Sequence, residues 1–331
     1  MMRAYLGKML LWCVLGIALI LGFAEANEIR RFRGASLRYS TPISGQAAFR
    51  ARQYSIENDT YWPTFWREGV AEFSNGTRTF NANAISFSGS AAQVWPAEFL
   101  AGSPPGAVDP RGAAVSAALA YRLWGSTDII GMPVIADGKP RVVRGVFEGA
   151  IQLALLSYHI EDTSQSWTAV ELEGGIPHRV SAERFAVASG LGRPDYVLMG
   201  GWAALARFMA VFPMLIPVAY MLARAARFVK RNYRAAVTPA IFAGFLLFAA
   251  ALPRLLDSLP PWLMPTHWSD FSFWGQLYRQ AGDSLREFLR LPPMLRDVEL
   301  KMHLLRQTGI FMFSVCVSIG CVVVRDRMVE N

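Results

Sequence analysis

The chain has 331 residues, of which 53% are hydrophobic and only 18% charged, and it carries a formal net charge of +8. A balance this apolar excludes an ordinary soluble protein and makes membrane spans the first thing to look for. The surplus of Lys and Arg flanks apolar runs and is not interleaved with aromatic residues in a recognition fold, so it marks the cytoplasmic side of a membrane, and no nucleic-acid partner is expected.

Taken in order, Met1 to Lys8 is basic through Arg3 and Lys8, and residues 9–24 are unbroken apolar sequence. Two readings of residues 1–27 stand side by side. They form a first transmembrane helix, or they form a signal sequence with Ala24-Glu25-Ala26 as a small-x-small cleavage site, the run being short of the about 20 residues a span needs. Either puts residue 28 onward outside the cytoplasm. Cys13, Cys316 and Cys321 all fall inside apolar runs. Their spacing fits no zinc motif, and the polar part of the chain has no cysteine with which to build disulfides.

Residues 28–188 read as a water-soluble α+β domain with antiparallel strands. Gly69 to Phe73 and Ala84 to Phe87 alternate as short strands, with turn signals at Asn75-Gly76 and Pro104-Pro105-Gly106. Tyr61, Trp62, Trp66 and Phe73 are expected in the core. Val115 to Trp124 has helical spacing, ended by Gly125. Met132 to Ala136 and Arg141 to Phe147 form a hairpin across Asp137-Gly138. His159 and His178 lie near Glu161, Asp162, Glu171 and Glu173, but no amphipathic helix holds them together, so they read as ordinary surface. With no HExxH, no GxSxG and no nucleophile paired with a base, the chain is not expected to be an enzyme, and no metal or cofactor is expected.

Residues 196–331 read as a membrane domain. Spans are expected at 208–223, 235–252 and 309–324. Pro213 and Pro217 are expected to kink the first of these. Arg224, Arg227, Lys230, Arg231 and Arg234 follow it as a short cytoplasmic loop. Between the last two spans, residues 273–290 alternate Trp274, Leu277, Tyr278, Ala281, Leu285, Phe288 and Leu289 with charged residues at helical period. This amphipathic helix lies on the outer membrane face or packs beneath the soluble domain, and the former is favoured. A second polar helix with Asp297, Glu299 and Lys301 leads into the last span, which ends at Arg325 and Arg327. Four spans with both chain ends inside satisfy the charge rule at each loop.

The stretch Val115 to Phe147 resembles the periplasmic core domain of MacB-like, FtsX-like ABC permeases. The resemblance is carried by Leu119, Leu123, Trp124, Gly125, Gly131, Asp137, Gly138, Val143, Gly145 and Val146. It implies a bacterial inner-membrane protein whose large α+β domain is inserted between the first and second of four transmembrane helices and faces the periplasm or exterior. It also implies a retained first helix, a homo- or heterodimer with another permease in contact with membrane lipid, and a separate ABC ATPase, for which Arg224, Arg227, Lys230, Arg231 and Arg234 are the candidate contact loop. No GxxxxGK[ST] occurs, so ATP hydrolysis is left to that partner. The outer domain is shorter than the family's usual and the loop between the third and fourth spans much longer. A membrane-anchored scaffold or receptor without ATP coupling is therefore the alternative.

Overall fold

The computed structural model describes residues 2–32, 34–173, 179–199, 202–232 and 294–326, with scattered helical positions between 275 and 290. The expected span at 235–252, Arg234 and most of the amphipathic helix at 273–290 lie outside the described residues. The chain divides into a helical unit (Met1–Arg30, Gly201–Trp274, Glu299–Asn331) and a sheet unit (Arg31–Gly200, Gly275–Val298).

In the sheet unit, β1 (Ala35–Ser44), α2 (Gly45–Glu57), β2 (Trp62–Ser74), β3 (Thr79–Ser88), α3 (Ala91–Val94), β4 (Phe99–Gly102) and β5 (Gly112–Ser116) come first. They are followed by α4 (Ala117–Trp124), β6 (Pro133–Ala136), β7 (Lys139–Phe147), β8 (Leu153–Ser157), β9 (Ser166–Glu173), α5 (Arg179–Ala188) and β10 (Tyr196–Met199). The strands make one sheet in the order β10-β1-β9-β2-β3-β8-β5-β7-β4, with β6 pairing both β2 and β7. Because β2 is long, its first residues pair β9 and its last two pair β6. The pairings therefore run in a closed circuit through β2, β3, β8, β5, β7 and β6.

Three expectations are corrected here. The strands are not all antiparallel: β3 pairs β8, and β5 pairs β7, in parallel. A parallel pair needs a long crossover, which α4 and β6 supply between β5 and β7. The helix expected from Val115 begins at Ala117, where the Ser116 hydroxyl accepts from the Leu119 N–H as an N-cap. Val115 and Ser116 instead close the fully buried strand Gly112–Ser116. Finally, the sheet unit does not stop at residue 188, since β10 pairs antiparallel with Ala35–Arg38.

The hairpin lies where the sequence puts it. Asp137 and Gly138 both have positive φ, 48° and 72°, as a two-residue type I′ turn requires. The Asp137 carboxylate accepts from the Glu72 N–H at 2.9 Å while its own N–H donates to the Glu72 carbonyl at 2.9 Å, so the turn also fastens β6 to β2. Trp66 and Phe73 are fully buried, whereas Trp62 is 43% exposed, its ring covered on one side by the Arg52 guanidinium at 4.2 Å.

The helical unit holds α1 (Met2–Arg30), α6 (Trp202–Asn232) and, from Glu299 on, α7 (Leu295–Asp326). Met9–Arg30, Trp202–Arg224 and Leu295–Val323 are long and apolar enough to cross a membrane. The polar helix expected ahead of the last span is continuous with it, because no proline lies between Leu295 and Asp326. Along α1, Ala18, Gly22 and Ala26 recur every fourth residue. A Cβ on Gly22 would meet Ile310 at 3.5 Å and Ala210 at 3.8 Å, so this small-residue stripe lets α6 and α7 approach closely.

Helix α6 continues through both prolines. Pro217 has no N–H to give the Pro213 carbonyl, and the Ser318 hydroxyl of α7 donates to that oxygen instead, at 2.8 Å. Ser318→Ala should therefore weaken the packing of α6 on α7 by about 0.5–2 kcal/mol. The loss would be read as an earlier midpoint when the reconstituted protein is titrated with a denaturing detergent.

Candidate functional site

Alternation along β1, β9 and β2 assigns each side chain to one face of the sheet. One face sends Leu37, Tyr39, Phe65, Trp167, Val170 and Leu172 into the larger apolar core, which α2, α4 and α5 cover. The other face carries Ser36, Arg38, Trp66, Glu68, Ala169 and Glu171. Beside a smaller core of Trp66, Ile85, Phe87, Phe147 and Leu155, this second face is covered by α3 and by Met294 and Leu295 at the start of α7. Four charged side chains are buried at that junction: Arg38 and Glu171 from the sheet, Arg296 and Asp297 from the helix.

Their partners are mutual. Arg38 Nη2 donates to Asp297 Oδ1 at 2.8 Å, its Nη1 lies 3.7 Å from Glu171 Oε1, and its guanidinium stacks 4.6 Å from the Trp66 ring centre. Glu171 Oε1 accepts from the Ser36 hydroxyl and, at 3.0 Å, from Trp66 Nε1, while its Oε2 pairs with Arg296 Nη2 at 3.3 Å. Arg296 Nε donates to the Gln93 carbonyl at 3.3 Å. The half-buried Glu68 accepts from the Leu295 N–H at 2.8 Å and so caps the helix from the neighbouring strand. Burial pushes the Glu68 carboxyl above its ordinary range; the Leu295 hydrogen bond and the Arg38 charge oppose that, and Asp297 adds to it.

Chemically this arrangement holds itself. Among the described residues no group of three or more His, Cys, Asp or Glu is placed to hold a metal ion. What the cluster can do is fix the first turn of α7 on the sheet in one position, since every shift of the helix would strand a buried charge.

None of these residues stands out in the sequence. Arg38 and Asp297 are 259 positions apart, and the alternation ASLRY and TAVELE reads as strands with one wet face. The cover supplied by α3 and residues 294–298 turns that face into an interior. Glu171 accordingly does not belong to a surface with His159, which pairs with Glu161 at 3.6 Å in an exposed turn; His178 lies outside the described residues.

The signature residues occupy another part of the strand order, β5 to β7, with structural duties. Leu119, Leu123, Val143 and Val146 are buried in the larger core, Trp124 packs against it, and Gly125 ends α4 in the left-handed region. The Gly131 N–H donates to the Val143 carbonyl at 2.8 Å. Gly145 pairs with Gly102 on β4. The basic segment differs from expectation, because Arg224, Arg227, Lys230 and Arg231 are helical residues of α6, not a loop. Arg227 Nε donates to the Ala223 carbonyl one turn back, at 3.4 Å.

No protein-family model matches the chain, and no curated protein does. Among solved structures, the chain is similar to the periplasmic region of MacB from Actinobacillus actinomycetemcomitans, with 11% identity and a TM-score of 0.40, over 50% of this chain and 87% of that one. It is likewise similar to the extracellular domain of the noncanonic ABC-type transporter YknZ from Gram-positive bacteria, with 11% identity and a TM-score of 0.40, over 50% of this chain and 97% of that one.

Proposed function

We propose that this chain is a multi-pass permease subunit of an ABC transporter, without an ATPase of its own, that couples a cytoplasmic ATPase to a domain outside the membrane. The observation that carries the reading is the order of parts. The apolar α1 leads into a mixed sheet unit whose β5–α4–β6–β7 segment holds the signature residues, and the apolar α6 and α7 follow. Basic residues stand at the N-terminal end of α1 (Arg3, Lys8) and at the C-terminal ends of α6 (Arg224, Arg227, Lys230, Arg231) and α7 (Arg325), although Arg30 closes α1 and Arg296, Lys301 and Arg306 lie in the N-terminal part of α7. If those ends are cytoplasmic, α6 and α7 cross in the same direction, and a return crossing between them is required. Residues 235–252 supply it in this proposal. A retained first helix is supported by Ala26, which is buried, and by Glu25, whose carboxylate lies 2.6 Å from His303 Nδ1; cleavage at 24–26 would remove these contacts.

Arg224, Arg227 and Arg231 follow one another along α6 at spacings of three and four, and this basic segment is the proposed contact for an ATPase subunit. Purification of the full chain in mild detergent should recover that ATPase. Each exposed ion pair is worth about 0.5–1 kcal/mol, so Arg227→Ala with Arg231→Ala should weaken the association about five- to thirtyfold. Absence of any ATPase from the wild-type preparation overturns the reading and leaves the membrane-anchored scaffold or receptor.

A further inference from the structure

Strand β2 runs past an opening in the sheet. Its residues 62–66 pair with β9 and its residues 73–74 with β6, and between them, among the described residues, no strand lies on that side. Alternation puts Arg67, Gly69 and Ala71 on the face of the larger core. Gly69 is exposed, with nothing within 4 Å of the place a Cβ would take, so there is free space on that face beside the opening.

The side chains around it are rich in donors. Lys139 Nζ and the Arg141 guanidinium, both from β7, lie 5.6 Å and 4.4 Å from the Tyr158 ring centre, and Trp167 from β9 meets the same ring edge-on at 6.3 Å. Arg67 joins them through Gln165, whose side-chain oxygen accepts from it at 3.5 Å. Gln165 donates in turn to Asp162, which also feels the Lys139 charge. Arg141 and Trp167 are 3% and 1% exposed, yet Arg141 Nε and Trp167 Nε1 have no hydrogen-bond partner. Two buried donors left without acceptors beside one ring are a cost that an acceptor from outside would remove. The nearby acids do not supply it. Asp162 is taken by Ser164 and Gln165, Asp137 by the Glu72 N–H and Glu161 by His159, while Glu68 and Glu72 lie on the opposite side of β2.

We infer that this opening binds a small organic anion through its carboxylate, which accepts from the orphaned donors of Arg141 and Trp167 while Lys139 and Arg67 supply the opposite charge. A charge-assisted acceptor is what the donors lack, and the rings of Tyr158 and Trp167 favour a ligand with an apolar body over a bare inorganic ion. Binding here draws on neither nucleotide nor an ATPase. It is therefore measured on the chain alone, and its failure leaves the permease reading untouched.

Equilibrium dialysis of the full chain in detergent against radiolabelled benzoate at constant ionic strength, with benzamide as the uncharged analogue, tests it. Benzoate should bind saturably at one site per chain, and benzamide should not displace it. Trp167→Phe, which keeps a ring and removes the N–H, and Lys139→Gln, at an exposed position, should each weaken binding about five- to tenfold. Arg122→Ala, which removes an exposed cation of α4, should leave it unchanged. Uptake that does not saturate, as partition into the micelle would not, or equal displacement by benzamide overturns the site. So does a Lys139→Gln variant with wild-type affinity, or a loss in Arg122→Ala as large as that in Lys139→Gln.

Discussion

Glu171→Ala in the full-length chain is expected to destabilise the sheet unit by about 3–5 kcal/mol. The carboxylate is 2% exposed, accepts from the Ser36 hydroxyl and the Trp66 indole, and forms ion pairs with Arg38 and Arg296. Its removal leaves the buried Arg296 without its carboxylate and Arg38 with Asp297 and the half-buried Glu68, and the cost is that of uncompensated charge more than of lost attraction. The surface pair Arg31–Glu98 gives the control. Glu98 is largely exposed, so Glu98→Ala should cost no more than about 1 kcal/mol. A urea titration followed by tryptophan emission reads both, with Trp66 beside the substituted site. Equal midpoints for the two variants would show that the cluster is not the fastening described here. The same physics predicts that replacing Arg38, Glu171, Arg296 and Asp297 together by Met and Leu would be far less damaging than removing Glu171 alone.

What could be read from the sequence and what could not separates along lines of distance. The Asp137-Gly138 turn, the Gly125 helix end and the apolar runs of α1, α6 and α7 are local signals, each decided within a few residues by backbone sterics or by hydropathy. They appear in the structure at or near their expected places. The parallel pairing of β5 with β7 was hidden because Gly112–Ser116 is Ala-rich and merges with the helix after it; only burial on both faces makes it a strand. The helical continuation of α6 to Asn232 carries no hydropathy signal, because the apolar run stops at Ala223, although the Arg, Ala and Lys that follow are good helix formers. The ionic cluster lay beyond reach for a different reason. Strand alternation tells which residues share a face, but not whether that face meets water or the first turn of a helix more than 100 residues later in the chain.

The signature glycines allow the second large effect to be ranked in advance, because they fall into two physical classes. Gly125 and Gly138 have positive φ, 76° and 72°, with open space where a Cβ would sit, so alanine there costs only left-handed backbone strain, about 1–2 kcal/mol. At Gly145 the obstacle is steric. A Cβ would lie 2.5 Å from the Ser103 carbonyl oxygen and 2.6–2.7 Å from the Phe99 ring, both on the β4 side of β7. Phe99 itself packs on the buried Phe147, with ring centres 5.9 Å apart, so it has little room to withdraw, and the Ser103 N–H is tied to the Arg144 carbonyl at 3.1 Å. Gly145→Val should therefore drive β4 off the sheet edge and cost about 3 kcal/mol or more, against the smaller penalties at the turn positions. Thermal unfolding of the three variants in one detergent gives the ranking. If Gly145→Val melts no earlier than Gly125→Ala, then β4 is not held as closely as its contacts indicate, and β7 owes Gly145 to something other than the packing of Phe99.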